Sequence, residues 1–366
     1  MRLSPHRTTT AAALLIAALL LPSATPGDPS DPRASKDPLA EEIARWNAFL
    51  RSNPGSGEIW DDVRQGSELA LARAGTALRD ERRLLALYRL AAAREGLAAA
   101  AYLLSRTPEQ RKDTALFESE WRRMGDALRE DLRPPAAPAL ESMRPAAVRA
   151  IGEAALQQVR VYYEASLEYG RNTILDAGLY YLGSAQAQRD LAAFLRSLPA
   201  PPSVTPPPLR ALGPELDALE AELLAAYRPP ASIDRHTEFI RASGALKEAR
   251  ELDAAGLHYG ALLRYLQAVQ RLAPLSPSSS ASTLEETLRS FDARLSARGA
   301  DHTIGRLFLE TAQALGGTGK DADPAAVQAI ADDVLPRYFA ALEPARPQAV
   351  RPAPRVTVTL VRWPYT

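Results

Sequence analysis

Apolar residues recur every three or four positions along most of the chain, which is the spacing of one face of an α-helix. A long proline-free stretch lies between Pro145 and Pro199. It predicts two antiparallel helices, with Pro145 in the first turn and Gly170 as a left-handed stop between them. Similar stretches predict an all-α fold of about ten antiparallel helices. Because alanine-rich apolar stripes suit both architectures, a helical repeat and an irregular bundle remain open.

Proline-rich segments divide these predicted helices. Asp37 and Pro38 have the order of an N-cap and a first-turn proline, which predicts a helix start at residue 38. Residues 199–208 contain six prolines and predict a semi-rigid polyproline II spacer. We therefore expect a helical subdomain over 38–198, a linker over 199–208 and a second helical subdomain over 209–342. The alternative is a spacer that only spans the end of a helix pair.

The first 24 residues have the three-part pattern of a secretory signal peptide. Basic residues precede an apolar run from Ala11 to Leu21, and small residues follow as far as Ala24. An uncleaved membrane anchor needs about 20 apolar residues, more than this run supplies. We expect cleavage near Ala24, a flexible lead-in over 25–37, and export to the periplasm or the extracellular space. Arg94 and Glu95 argue against a membrane span in the alanine-rich helix that contains them, so no transmembrane span is expected after cleavage.

Composition and charge narrow the function classes. The chain has 44 basic and 44 acidic residues, a balance that gives no electrostatic case for binding nucleic acid. It has no cysteine, which excludes disulfides, thiolate metal sites and a cysteine nucleophile. Arginine exceeds lysine, and alanine, leucine and proline are abundant, as is typical of GC-rich bacterial genomes. These features indicate an exported bacterial protein.

Familiar catalytic and metal-binding motifs do not occur in the sequence. The glycines around Gly316 lack the first glycine of a phosphate-binding loop, and Asp321 stands where that loop needs Ser or Thr. The histidines have no paired metal-ligand spacing, and there is no Gly-x-Ser-x-Gly elbow. We therefore predict no cofactor and no metal, and the sequence identifies no catalytic residue.

One predicted helical hairpin resembles part of a known repeat family. The segment Gly256-x-x-Tyr259, with Leu252 before it and Ala268 after it, is similar to the tetratricopeptide pattern. A second segment, beginning at Gly178, matches less of that pattern, and the regular period of about 34 residues is missing. The resemblance implies stacked helical pairs with a concave, peptide-binding surface.

Tyrosines are concentrated on both sides of the turn in the predicted hairpin of residues 145–198. Tyrosine combines apolar area with a hydroxyl group, as binding surfaces require. We interpret this group as a candidate binding surface, and the alternative is that the rings fill the partly wet end of the hairpin. The candidate residues are Tyr162, Tyr163, Tyr169, Tyr180, Tyr181 and the neighbouring Arg171.

The C-terminal tail, residues 343–366, changes in character. Proline and arginine precede an alternating apolar segment, the strongest strand pattern in the chain. Such a strand can add to the sheet edge of a partner protein, with the Pro/Arg-rich part giving it reach. The alternative is a terminus that is loose or lies against its own helices. The docking residues would be Val356, Val358, Leu360 and Trp363.

Together these patterns favour an exported bacterial helical scaffold or binding protein of the cell envelope that is not an enzyme. Its partner would be another envelope protein, bound through the helical surface or the C-terminal strand. The alternative is an all-helical exported enzyme that acts on envelope glycan or peptide. A concave pocket with converging carboxylates and shifted pKa values would favour the enzyme, and an extended groove without them would favour binding.

Overall fold

The computed structural model describes most of the chain between residues 37 and 343. The predicted signal peptide, the predicted lead-in up to residue 36, most of the predicted Pro-rich linker and the tail from residue 344 lie outside it. The described residues form twelve helices and no strand, which confirms the all-α class. None of these helices is both long enough and apolar enough to cross a membrane. The described ranges are 37–53, 58–131, 140, 143–171, 175–199, 206–230, 232–275, 284–297, 300–317 and 321–343.

The helices account for most of the described residues. The long hairpin predicted for residues 145–198 is present as α5 and α6, which pack along each other. In chain order the helices are α1 (Pro38–Ser52), α2 (Glu58–Arg79), α3 (Arg83–Leu104), α4 (Thr114–Asp131), α5 (Ala146–Arg171), α6 (Leu175–Ser197), α7 (Gly213–Ala226), α8 (His236–Ala254), α9 (His258–Leu272), α10 (Leu284–Leu295), α11 (Thr303–Leu315) and α12, which joins Pro324–Ala329, a π turn at Ile330–Val334 and Leu335–Leu342.

Gly170 does not have the predicted role of a left-handed helix stop. It lies inside α5, its φ is not positive, and the helix continues to Arg171. A Cβ at Gly170 would collide with the ring of Phe117 from α4. The glycine is therefore explained by close packing between α4 and the hairpin.

Helices α3, α5, α6 and α9 form the centre of the molecule. Helix α3 packs on α6, and α9 packs on α5. One apolar core includes Leu71 and Leu90 before the Pro-rich linker and Leu262 and Leu266 after it. The two predicted subdomains thus share buried residues, and their division at residues 199–208 stays a prediction.

Carboxylates from distant helices cap several helix N-termini. The first turn of a helix leaves backbone N–H groups unpaired, and the N-cap residues of α3 and α9 supply no side-chain acceptor. Glu310 of α11 accepts a hydrogen bond from Leu85 N in the first turn of α3, at 2.8 Å. Glu153 of α5 accepts one from Gly260 N in the first turn of α9, at 2.7 Å. These bonds fix the helices relative to each other.

Asp301 caps two helices with one carboxylate. Its Oδ2 accepts a hydrogen bond from Ala146 N at the start of α5, at 2.6 Å, and its Oδ1 accepts from Thr303 N of α11, at 3.0 Å. Thr303 Oγ1 in turn accepts from Ala147 N, at 3.0 Å. Asp301 is 4% exposed, so water does not replace these contacts readily. The start of the central helix α5 is therefore tied to α11.

The buried Glu153 is expected to make stability depend on pH. It is fully buried and receives hydrogen bonds from Gly260 N and Arg149 Nε, yet burial is the larger effect and raises its pKa above the usual 4.5. The folded state then holds this proton more tightly than the unfolded state. Protonated Glu153 therefore adds to the free energy of unfolding. This added stability is complete below pH 4.5 and is lost as the pH rises through the raised pKa of the folded state.

Replacing Glu153 by glutamine, which does not titrate, should therefore flatten the decline of unfolding free energy with rising pH. The measurement is urea unfolding, followed by circular dichroism, at steps between about pH 5 and about pH 8. Glu285→Gln changes an exposed carboxylate on α10 and serves as the matched control. An unchanged slope in Glu153→Gln would contradict the assignment.

Candidate functional site

A cluster of polar side chains lies between the central helices, and we call it the polar cluster. Helices α3, α5, α6, α8 and α9 each contribute to it, so most of the cluster assembles only in the folded chain. Several members are half-buried residues, so the polar cluster extends from the core towards the surface. Its members are Tyr88, Glu95, Tyr162, Tyr180, Gln188, Glu248, Arg264 and Gln267.

Glu95 is the centre of the polar cluster. Its carboxylate accepts hydrogen bonds from the Tyr162 hydroxyl and from Gln188 Nε2, the latter at 2.7 Å. Burial among the helices raises the pKa of Glu95, and these bonds and the positive charge of Arg264 offset that effect only in part. Within the described structure, Arg264 does not approach Glu95 closely enough to form an ion pair. Glu95 is thus a recessed carboxylate that has no direct counter-ion among the residues that the structure describes.

Arg264 is already engaged by other groups. Its Nε lies 2.8 Å from Glu248 Oε2, and its Nη1 donates to Gln267 Oε1 at 2.9 Å. Gln267 Nε2 then donates to the Tyr88 hydroxyl at 2.7 Å, which joins α9 to α3. The side chains of Arg264 and Glu248 are 20% and 33% exposed, so this ion pair lies at the edge of the polar cluster next to solvent. Because Glu248 balances Arg264, the polar cluster has an excess of one carboxylate.

Four of the predicted tyrosines form one aromatic group beside Glu95. The ring of Tyr181 stacks on Tyr169 at 5.0 Å between centroids and on Tyr162 at 6.1 Å, and Tyr180 meets it edge-on at 6.0 Å. Tyr162 is buried and Tyr180 half-buried, and burial raises the pKa of both hydroxyls. The aromatic surface and the Glu95 carboxylate are therefore adjacent.

Tyr163 and Arg171, the other two predicted residues, belong to a different surface. Successive helix positions differ by about 100°, so Tyr163 points away from Tyr162. Its ring stacks on Trp121 of α4, at 4.9 Å and 11°. Arg171 lines a groove of about 880 Å³ between α4 and the end of the α5–α6 hairpin, which we call the hairpin-end groove. The six predicted binding residues therefore belong to two separate sites: four tyrosines lie beside Glu95, and Tyr163 and Arg171 lie near α4.

Local sequence patterns do not mark Glu95, Gln188, Glu248 or Arg264 as candidate functional residues. One available signal is the position of Glu95, a charged residue in the middle of the alanine-rich, apolar helix α3. Burying a charged side chain in apolar surroundings is costly unless the charge is paired or hydrogen-bonded, so its position indicates polar partners from elsewhere in the fold. Its hydrogen-bond partners are 67 and 93 residues away in the chain, which a local pattern does not reveal.

The predicted docking residues of the tail, Val356, Val358, Leu360 and Trp363, lie outside the described residues. Within the described part of the chain, no three His, Asp or Glu side chains converge as a metal site would require. No family model matches the chain, and neither a curated protein nor a solved structure matches it. The geometry of the polar cluster is therefore the basis for a functional proposal.

Proposed function

We propose that the protein is an exported bacterial binding protein of the cell envelope, without catalytic activity, and that Glu95 holds a cationic group of its ligand. The observation that carries this proposal is Glu95, a half-buried residue whose recessed carboxylate has no direct counter-ion among the described residues. Export is supported by the signal-like pattern of residues 1–24. The proposal includes the helical-repeat-like scaffold and a second docking element in the tail strand, residues 356–363.

The chemistry of the polar cluster favours a cation over an anion. Two carboxylates, Glu95 and Glu248, face one guanidinium group, Arg264. Tyr162 and Tyr180 place aromatic rings near Glu95, and ring faces attract ammonium and guanidinium groups. An arginine or lysine side chain of a partner protein would supply such a cation.

Replacing Glu95 by glutamine should weaken binding of a cationic peptide about tenfold or more, because a hydrogen bond to a charged group contributes about 1.5–3 kcal/mol. Suitable probes are short arginine-containing peptides and the same peptides with neutral citrulline, measured by calorimetric titration. The exposed Glu285→Gln variant is the control. Equal affinities of the wild-type chain for the arginine and citrulline peptides would reject the cation site, as would equal affinities of wild type and Glu95→Gln for the arginine peptide.

The same binding should strengthen as the pH rises. A protonated Glu95 is neutral and does not attract a cation, and its raised pKa extends the protonated form to higher pH. Affinity should increase until Glu95 is fully ionised, and the Glu95→Gln variant should lose this dependence. The groups that face Glu95 are Tyr162 from α5, Tyr180 and Gln188 from α6, Glu248 from α8 and Arg264 from α9.

One observation favours the enzyme as a second candidate. A carboxyl group with a raised pKa can serve as a general acid near neutral pH, and Glu248 would be a second carboxylate close to it. Hydrolysis of envelope glycan fragments and peptides by wild type and Glu95→Gln distinguishes the candidates. An enzyme would lose turnover in the variant while still binding substrate, whereas a binding protein would show no turnover in either form.

A further inference from the structure

The hairpin-end groove has an apolar floor. Phe117 and Trp121 of α4 meet Leu167 of α5 and Leu175 of α6 there. Gly170 allows the Phe117 ring to lie directly against α5. The groove shares no residue with the polar cluster, so its role is a separate question.

The rim of the groove is positively charged. Four cations and two carboxylates line it, and one of the cations, Arg122, is paired with Glu118 on the same helix at 2.9 Å. Lys112 and Arg171 are exposed and make no ion pair with any described residue. The groove therefore presents two available cations above an apolar floor.

Trp121 adds a hydrogen-bond donor to this site. Its ring packs flat on Tyr163, while its indole Nε1–H is buried and has no acceptor among the described residues. A buried donor without an acceptor costs about 1–3 kcal/mol. A ligand oxygen that reached this donor after a small shift of the ring would recover part of that cost.

We propose that the hairpin-end groove docks an acidic peptide segment of a partner protein, with an apolar side chain on the floor and carboxylates at Lys112 and Arg171. Charge complementarity selects an anionic partner, and the recessed apolar floor selects a peptide side chain over a flat charged surface. The chain's own tail has the wrong charge, because Arg351, Arg355 and Arg362 make it basic.

The test is fluorescence anisotropy with the untruncated protein and a labelled peptide that has a leucine between two pairs of glutamates. Binding should weaken with added salt, and replacing the glutamates by glutamines should lower affinity about tenfold. Arg171→Glu and Lys112→Glu should each lower affinity for the acidic peptide about tenfold or more, since they place like charges together.

Arg196→Glu is the matched control, because Arg196 is an exposed cation in the last turn of α6, away from the groove. It should leave affinity unchanged, and circular dichroism should show equal helicity in all variants. The proposal is overturned if the acidic peptide does not bind, if the glutamine peptide binds equally well, or if Arg171→Glu has no effect. Arg171-dependent binding to vesicles of anionic phospholipid without peptide binding would also overturn it, in favour of a lipid headgroup. Acidic-peptide binding that survives Glu95→Gln would separate this site from the one proposed at Glu95.

Discussion

Asp301→Ala is expected to lower the free energy of unfolding by about 3 kcal/mol or more, a large part of the roughly 5–15 kcal/mol typical of a folded domain. The substitution removes the acceptor of Ala146 N and of Thr303 N. An N-cap alone contributes about 0.5–2 kcal/mol, and here one buried carboxylate serves two helices. Because α5 is central, its loosened start should also disturb the packing of α11.

Guanidinium unfolding followed by circular dichroism measures the effect, and Asp323→Ala is the matched control. Asp323 caps only its own helix, through Ala326 N at 2.9 Å, so its loss should cost about 1 kcal/mol. Asp301→Asn keeps one of the two carboxylate oxygens and should lie between the wild type and Asp301→Ala. Equal losses in Asp301→Ala and Asp323→Ala would show that sharing a cap between helices adds nothing.

The contrast between these two aspartates shows what the sequence can predict. A cap within its own helix is a local pattern, and the one predicted at Asp37 is confirmed, since its Oδ1 accepts from Leu39 N at 3.1 Å. Asp301 is 155 residues from Ala146, and no periodicity or spacing connects them. Helices follow from neighbouring residues, whereas the bonds that arrange helices depend on the completed fold.

In the candidate site, too, some features can be predicted from the sequence and others require the structure. The density of tyrosines around the hairpin turn is visible in the sequence, and four of the five rings do come together. Their separation from Tyr163 depends on which neighbours each face of α5 meets. The left-handed stop predicted at Gly170 is wrong, and only the position of Phe117 shows that close packing accounts for this glycine. The partners of Glu95 come from other helices and required the structure.

Gly183→Ala is expected to lower the free energy of unfolding by about 2 kcal/mol, although alanine is the better helix former by about 0.5–1 kcal/mol. Gly183 lies where α6 crosses α3. An added Cβ would be 2.8 Å from Tyr102 Cβ and 3.0 Å from the carbonyl oxygen of Ala99. These atoms belong to or adjoin the backbone of α3, so a side-chain rotation does not relieve the clash and the two helices must separate.

Gly244→Ala provides the opposite expectation, because nothing lies within 4 Å of a Cβ at this exposed helical position of α8. It should raise the free energy of unfolding by about 0.5 kcal/mol in the same denaturant titration. Separation of α3 from α6 in Gly183→Ala should also stretch the hydrogen bond from Gln188 to Glu95, which joins these two helices. A destabilised Gly183→Ala that still bound cationic peptides with wild-type affinity would show that Glu95 does not depend on that crossing. If both glycine variants were more stable than the wild type, the inference that a Cβ at Gly183 clashes with α3 would be wrong.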